Sequence, residues 1–420
     1  MTTGGDGLAR LLRAVEDYEA TLERCLVLHA GRSVLSPGAR ALLGSRLVDG
    51  DLAGRRREWG EQNTRVAAGA IEDLARELTD RLFGTPHADY RALTGSLANG
   101  LATAAVTRPG EAIVMPPEWA FGHKSLGRDG YPGSGGRRVL DMPWDAAAFG
   151  PDLEGLRRVL RAERVRLVIL GVSRTLFPEP MAEVAAMARD AGARLLYDAA
   201  HVMGLVAGGA FPNPFAAGFD FMTGSTHKTL PGPTGGAVLC RAADDLEAIG
   251  TLGDAWLSTY GNARVAALTW TLAELVDHGA MYARRVVDNA RALAAALADG
   301  GLPVVGAGRG FTATHQVLVD LTGRFETADA AQRLAGASIL VNAPSRVDRR
   351  LRDGRRDGLW LRLGSSVVSR LGMAEPEMRE IGTLVARLLV DGEEPAAVGK
   401  RVQELVDAFH TVRYAIEPGG

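Results

Sequence analysis

Any chemistry that needs a side-chain amine has three candidates in these 420 residues, since Lys124, Lys228 and Lys400 stand alone beside 45 arginines. Lys228 lies in Thr223-Gly224-Ser225-Thr226-His227-Lys228-Thr229-Leu230-Pro231-Gly232-Pro233, crowded by small and hydroxylated residues and followed by glycines. A Schiff-base lysine needs such a snug, partly desolvated position at a strand end, where its pKa can fall enough to supply a free amine. Thirty residues upstream, Asp198 closes the run Leu195-Leu196-Tyr197 and precedes Ala199-Ala200-His201. A carboxylate at the C-terminal edge of a strand can hold a pyridine nitrogen protonated, which makes pyridoxal phosphate an electron sink. A surface lysine and a helix-capping aspartate account for either residue alone. Together in one α/β segment they favour the cofactor.

Two further signals are weaker in isolation. Thr94-Gly95-Ser96 precedes the helical run Leu97–Val106, and backbone amides at a helix start with two hydroxyls make a phosphate seat. Capping alone also explains a Gly-Ser there. His123 follows the run Ala112–Met115 and can stack on an aromatic ring, although a lone histidine is more often structural.

The elements that must position these groups read as an α/β domain. Short β-type runs at 112–115, 167–170, 193–197, 219–222 and 236–239 are apolar almost throughout and separated by spacers long enough for crossover helices. That pattern belongs to strands buried on both faces of a mostly parallel sheet. Helical periodicity precedes it at Leu8–Val27 and Thr64–Phe83, the latter with Ile71, Leu74, Leu78 and Leu82 on one face. Two helical stretches follow Tyr260. Strands at His315–Leu321 and Leu359–Leu363, with helices at Glu326–Leu334, Glu375–Leu389 and Ala396–Tyr414, make a smaller α+β domain. The expected organisation is an N-terminal helix and interface arm over 1–60, a cofactor-binding domain over 61–280 and a small domain over 281–420.

Composition excludes several classes. A net charge of −2 gives no electrostatic case for a nucleic-acid or membrane-surface partner. Hydrophobic content of 46% with 23% charge is that of a globular protein, and no apolar run approaches the ~18 residues of a membrane span. The N-terminal residues do not read as a signal peptide. Cys25 and Cys240, outside any metal-type spacing, read as reduced thiols of a cytoplasmic protein that fill its core.

The stretch Tyr197–Pro214, followed by Thr226–Gly236, closely resembles serine hydroxymethyltransferase, and the likeness extends from about Leu35-Ser36-Pro37 into the C-terminal domain. The resemblance implies the type I pyridoxal-phosphate (aspartate-aminotransferase-like) fold and a homodimer. It implies that Lys228 carries the cofactor, with Thr226 and His227 beside it, and that Asp198 meets the ring nitrogen. His201 then stands beside the cofactor hydroxyl and the substrate, His123 stacks on the ring, and Ser173 lies near the cofactor hydroxyl. Thr94, Gly95 and Ser96 match the phosphate turn. Arg362, in Leu361-Arg362-Leu363-Gly364, matches the arginine that takes the substrate carboxylate, a task suited to a bidentate guanidinium.

The departures from the family cluster on the acceptor side. A tyrosine- and glycine-rich loop that supplies a glutamate to the neighbouring subunit is replaced by Gly50–Gln62. Here no tyrosine remains, the glutamate position falls near Gly54, and Glu58 and Glu61 are the available acids. Glu118 and Lys124 stand where apolar residues sandwich the pterin of folate. Thr234 replaces an arginine, and Ser258–Asn262 replaces a glycine-rich phosphate contact. The cofactor side is kept while the folate side is lost. The expected activity is therefore cleavage or formation of the Cα–Cβ bond of a β-hydroxy amino acid through a glycine-type quinonoid, with an aldehyde or one-carbon acceptor that is not ordinary folate. Lys124 is placed to meet an anionic acceptor. Tetrahydrofolate-dependent hydroxymethyl transfer to serine or α-methylserine is the alternative. Transamination, decarboxylation and a non-catalytic subunit stand further back.

Overall fold

The computed structural model describes residues 4–49, 63–257, 260–324, 327–342 and 360–417. The chain forms two compact units: Met1–Ala30 with Asp288–Arg413, and Gly31–Val287 with Tyr414–Gly420.

The larger unit is built on a seven-stranded sheet. Its strands are β1 (Ala88–Asp89), β2 (Ala112–Met115), β3 (Arg138–Asp141), β4 (Val165–Leu170), β5 (Arg194–Asp198), β6 (Phe221–His227) and β7 (Pro231–Cys240), in the spatial order β1-β7-β6-β5-β4-β2-β3. Neighbours from β3 to β6 pair in parallel, and β7 runs antiparallel to both β6 and β1. The mostly parallel sheet expected from the apolar runs is present. Its side chains alternate between two cores. Val168, Leu170 and Tyr197 pack into one, while Leu167, Ile169 and Leu196 pack into the other. Both faces are thus apolar, which is why the strands show no polar alternation.

Two strands of this sheet escaped the sequence reading. β1 has two residues, and β3 is an edge strand bracketed by Arg138 and Asp141, the charged ends that protect an open edge. The two helical stretches expected after Tyr260 are one helix, Asn262–Asp299. Gly208 packs closely on this helix, since a Cβ on Gly208 would lie 2.3 Å from the Gly279 carbonyl oxygen.

The smaller unit pairs strand Gln316–Asp320 with Trp360–Gly364 in antiparallel fashion, under the helices Thr327–Gly336, Glu375–Leu389 and Pro395–Ala408. Leu293, Val317, Leu361, Ile381 and Leu388 share its core. The first helix spans Gly4–Glu23, short of the expected Val27. Leu26–Val27 is a strand that pairs in parallel with Ile339–Leu340. Among the described residues no helix is long and apolar enough to cross a membrane.

Candidate active site

The C-terminal ends of β5 and β6 bring the two leading residues together. Asp198, the last residue of β5, is in register with Thr223 of β6, and Lys228 follows the last residue of β6. The chain reverses at once, pairing His227 with Pro231, and Thr226 Oγ1 donates to the Pro233 carbonyl at 2.6 Å. Thr229 then ties the lysine turn to the segment after Asp198. Its hydroxyl donates to the His201 carbonyl (3.0 Å) and accepts the Gly204 N–H (3.1 Å). Only glycine fits at 204, because a Cβ there would lie 2.1 Å from the Thr229 carbonyl oxygen. The result is a contact between Lys228 Nζ and Nε2 of buried His201 at 3.2 Å. The neighbouring His227 has a lowered pKa, first through burial and then through the charge of Lys228, and its Nδ1 is buried without a hydrogen-bond partner.

Asp198 has a donor on each oxygen. Oδ1 accepts the Ala200 N–H at 3.0 Å, and Oδ2 accepts Asn99 Nδ2 at 2.8 Å. Gly171, just past β4, reaches φ +99°, and a Cβ there would meet the Asp198 carbonyl oxygen at 2.3 Å. Both the left-handed backbone and the close approach require glycine.

Thr94, Gly95 and Ser96 open helix Gly95–Val106. Thr94 is its N-cap, accepting the Leu97 N–H at 3.1 Å, and the amides of Gly95 and Ser96 head the first turn, where no intrahelical partner exists. This turn is pressed onto β6 and β7. A Cβ on Gly95 would lie 2.6 Å from Ser225 Oγ, and one on Gly236 would lie 2.2 Å from the Thr94 carbonyl oxygen.

His123 is exposed and caps the short turn Lys124–Leu126. Its Nδ1 lies 2.8 Å from Ser125 Oγ and accepts the Ser125 N–H at 3.3 Å. Ser173 holds this segment in place, donating both its N–H and its hydroxyl to the Phe121 carbonyl at 2.9 Å. Glu118 and Lys124 flank His123 in sequence, Glu118 partly buried in the turn Glu118–Ala120 and Lys124 exposed. Thr234 is exposed on β7. Arg362 belongs to the smaller unit, on strand Trp360–Gly364 opposite Leu318, with a bridge to Asn342 on its other side. Asn342 in turn accepts the Ala30 N–H (2.8 Å) and lies 2.7 Å from His29 Nε2. Gly54, Glu58, Glu61, Ser258 and Thr259 lie outside the described residues.

Sequence reasoning passed over Asn99, Ser125, Gly171, Thr223 and Thr229, all of which touch or brace the residues above. For Asn99 a signal existed: it is a lone amide in the otherwise small and apolar run Leu97–Ala102.

A sheet of this order, with a lysine leaving β6 beside an aspartate that ends β5, is that of fold type I pyridoxal-phosphate enzymes. The family model described as serine hydroxymethyltransferase matches residues 53–385. Serine hydroxymethyltransferase of Methanopyrus kandleri is 37% identical over 99% of this chain and 97% of its own length, and that of Thermococcus gammatolerans is 34% identical over 98% and 97%. The crystal structure of L-threonine transaldolase from Pseudomonas fluorescens, in its internal aldimine state, superposes with a TM-score of 0.86 at 27% identity, covering 98% of this chain and 94% of that one. The chain belongs to the serine hydroxymethyltransferase family, and it is an enzyme of the pyridoxal-phosphate-dependent hydroxymethyltransferase and transaldolase type.

Proposed function

We propose that this protein binds pyridoxal phosphate as a Schiff base on Lys228 and makes or breaks the Cα–Cβ bond of a β-hydroxy amino acid, exchanging its aldehyde for another without ordinary folate. The observation that carries the reading is the Lys228–His201 contact of 3.2 Å, one strand away from Asp198. The donor set suits the cofactor, offering an amine at a strand end, a carboxylate for a ring N–H and first-turn amides for a phosphate. Gly95 and Gly236 leave a cradle that a Cβ on either would fill.

When bound, the cofactor supplies a sink for the electron pair left as the Cα–Cβ bond breaks. In this reading Asp198 holds the proton on the ring nitrogen. Thr94, Gly95 and Ser96 bind the phosphate, and Thr226 and His227 shape the lysine turn. His123 covers the ring, and Ser173 stands near its hydroxyl. His201 holds or moves a proton where the Lys228 amine and the substrate exchange. Arg362 takes the substrate carboxylate in a bidentate pair that orients the bond to be broken.

The acceptor side supports an aldehyde. A charge facing a flat aromatic ring is unfavourable, and Lys124, next to His123 in sequence and exposed, stands where the family resemblance expects an apolar residue. Lys124 suits an anionic acceptor. The likeness to the transaldolase over nearly all of both chains favours the same reading. The hydroxymethyltransferase relatives favour the alternative, tetrahydrofolate-dependent transfer to serine or α-methylserine. Glycine release from serine, measured with and without tetrahydrofolate and beside threonine with an added aromatic aldehyde, separates the two. Aldehyde-dependent product from threonine is expected; glycine formation that requires folate would overturn the folate-independent reading. We place the enzyme in the cytoplasm as a homodimer.

A further inference from the structure

We propose that Asn99 is a positioning residue that sets both the Asp198 carboxylate and the tautomer of His123, an inference that rests on the cofactor reading above. Asn99 is 2% exposed on helix Gly95–Val106, one turn beyond the Thr94–Ser96 segment. Its amide orientation follows from its neighbours. A carboxylate oxygen is an acceptor, so the group 2.8 Å from Asp198 Oδ2 is the Nδ2 donor. Asn99 Oδ1 therefore faces Thr223 Oγ1, which donates to it at 2.5 Å from a residue with no exposed surface.

The polarity runs on from there. Asn99 Nδ2 also donates to Ser125 Oγ at 3.3 Å. Ser125 then has its own proton for His123 Nδ1, 2.8 Å away, and its backbone N–H is directed at the same nitrogen. With two donors on Nδ1, the neutral imidazole carries its proton on Nε2. One buried amide thus links the residue assigned to the ring nitrogen with the residue assigned to the ring face, and Thr223 keeps that amide from flipping. The Ala200 N–H holds the other Asp198 oxygen, leaving the carboxylate no free rotation.

The test uses the cofactor-loaded enzyme and reads pyridoxal phosphate affinity by dialysis, kcat and KM separately, and Tm. A hydrogen bond to a charged group is worth enough that Asn99→Ala should weaken cofactor binding about 10-fold or more, and should lower kcat with little change in KM for the amino acid. Ser125→Ala, which spares Asp198 but removes a donor from His123 Nδ1, should lower kcat while weakening cofactor binding less than Asn99→Ala does. Thr223→Val should reproduce a weaker form of the Asn99→Ala effect, and it serves in place of Asn99→Ala should that variant not fold. Unchanged affinity and kcat in whichever of the two variants folds would overturn the proposal. A wild-type protein with no cofactor absorbance, or one whose absorbance survives Lys228→Ala, would instead overturn the cofactor reading itself.

Discussion

Lys228 and Asp198 should fail in different ways. Lys228→Ala removes the only amine at the end of β6, so the visible absorbance of covalently held cofactor should vanish, and turnover with it. Asp198→Asn keeps the amine but offers no carboxylate to the ring nitrogen. The absorbance should persist while kcat falls roughly 10²- to 10⁴-fold, the range that a misplaced proton produces. An equal loss of cofactor in both variants would show that Asp198 only anchors. Glu179, hydrogen-bonded by Tyr197 next to Asp198 in sequence, is a buried titrating residue. Burial pushes the Glu179 carboxyl up to about 7, against the lowering effect of the hydrogen bond it accepts from Tyr197 at 2.8 Å. The native state therefore holds an extra proton between the usual 4.5 and about 7. Stability from this group is complete below that window, is lost as pH rises through it, and amounts to something on the order of 3 kcal/mol. Glu179→Gln should raise Tm relative to wild type more at pH 8 than at pH 5, and a pH-independent difference would refute the assignment.

At the scale of elements, the site depends on loops stapled to one another. Gly204→Ala would drive a Cβ into the Thr229 carbonyl and displace the turn that carries Lys228. Overpacking of this kind costs about 1–3 kcal/mol, and here cofactor retention should drop together with Tm, which thermal melts of the cofactor-loaded and stripped protein would check. Much of this architecture was legible in the sequence, and the exceptions have physical causes. The runs at 112–115 and 167–170 declared β2 and β4 because both of their faces are apolar. β6 was expected at 219–222 but continues to His227, through Thr223, Ser225 and Thr226. Those small polar residues do not look like a strand, yet they are buried between neighbours that supply their hydrogen bonds. The face anticipated for helix Asn63–Phe83 was right at Leu78, which is buried, and at Leu82, which packs on the core, but not at Leu74. Leu74 is 47% exposed, whereas Ala75, Leu78 and Phe83 are buried, and a count of leucines overlooks the alanine that permits close packing. Lys228 and Asp198 were legible because each ends a strand. Asn99 was not, because its role depends on three partners distant in sequence.

At the scale of the whole molecule, the N-terminal helix bears on assembly. Leu8, Leu11, Leu12, Val15 and Tyr18 lie in one stripe along Gly4–Glu23, each 46–60% exposed, and the helix has no buried residue. A stripe of that kind on a lone chain marks an interaction surface. Under the homodimer reading, Leu11→Glu with Val15→Glu should shift the sedimenting species from dimer toward monomer, and an unchanged sedimentation coefficient would remove this helix from the interface. The glycines at 95 and 236 have a consequence for how such a protein can change over generations. Each is locked by a different neighbour, Ser225 in one case and the Thr94 carbonyl in the other, so neither substitution can compensate for the other and the seat they form has almost no viable mutational neighbours. Lys124 is under no such lock, since its side chain is exposed, although Gly122 two residues before it is fixed by the Pro116 carbonyl. Under the proposed reading, inheritance can therefore alter the exposed Lys124 position more freely than the seat formed by Gly95 and Gly236.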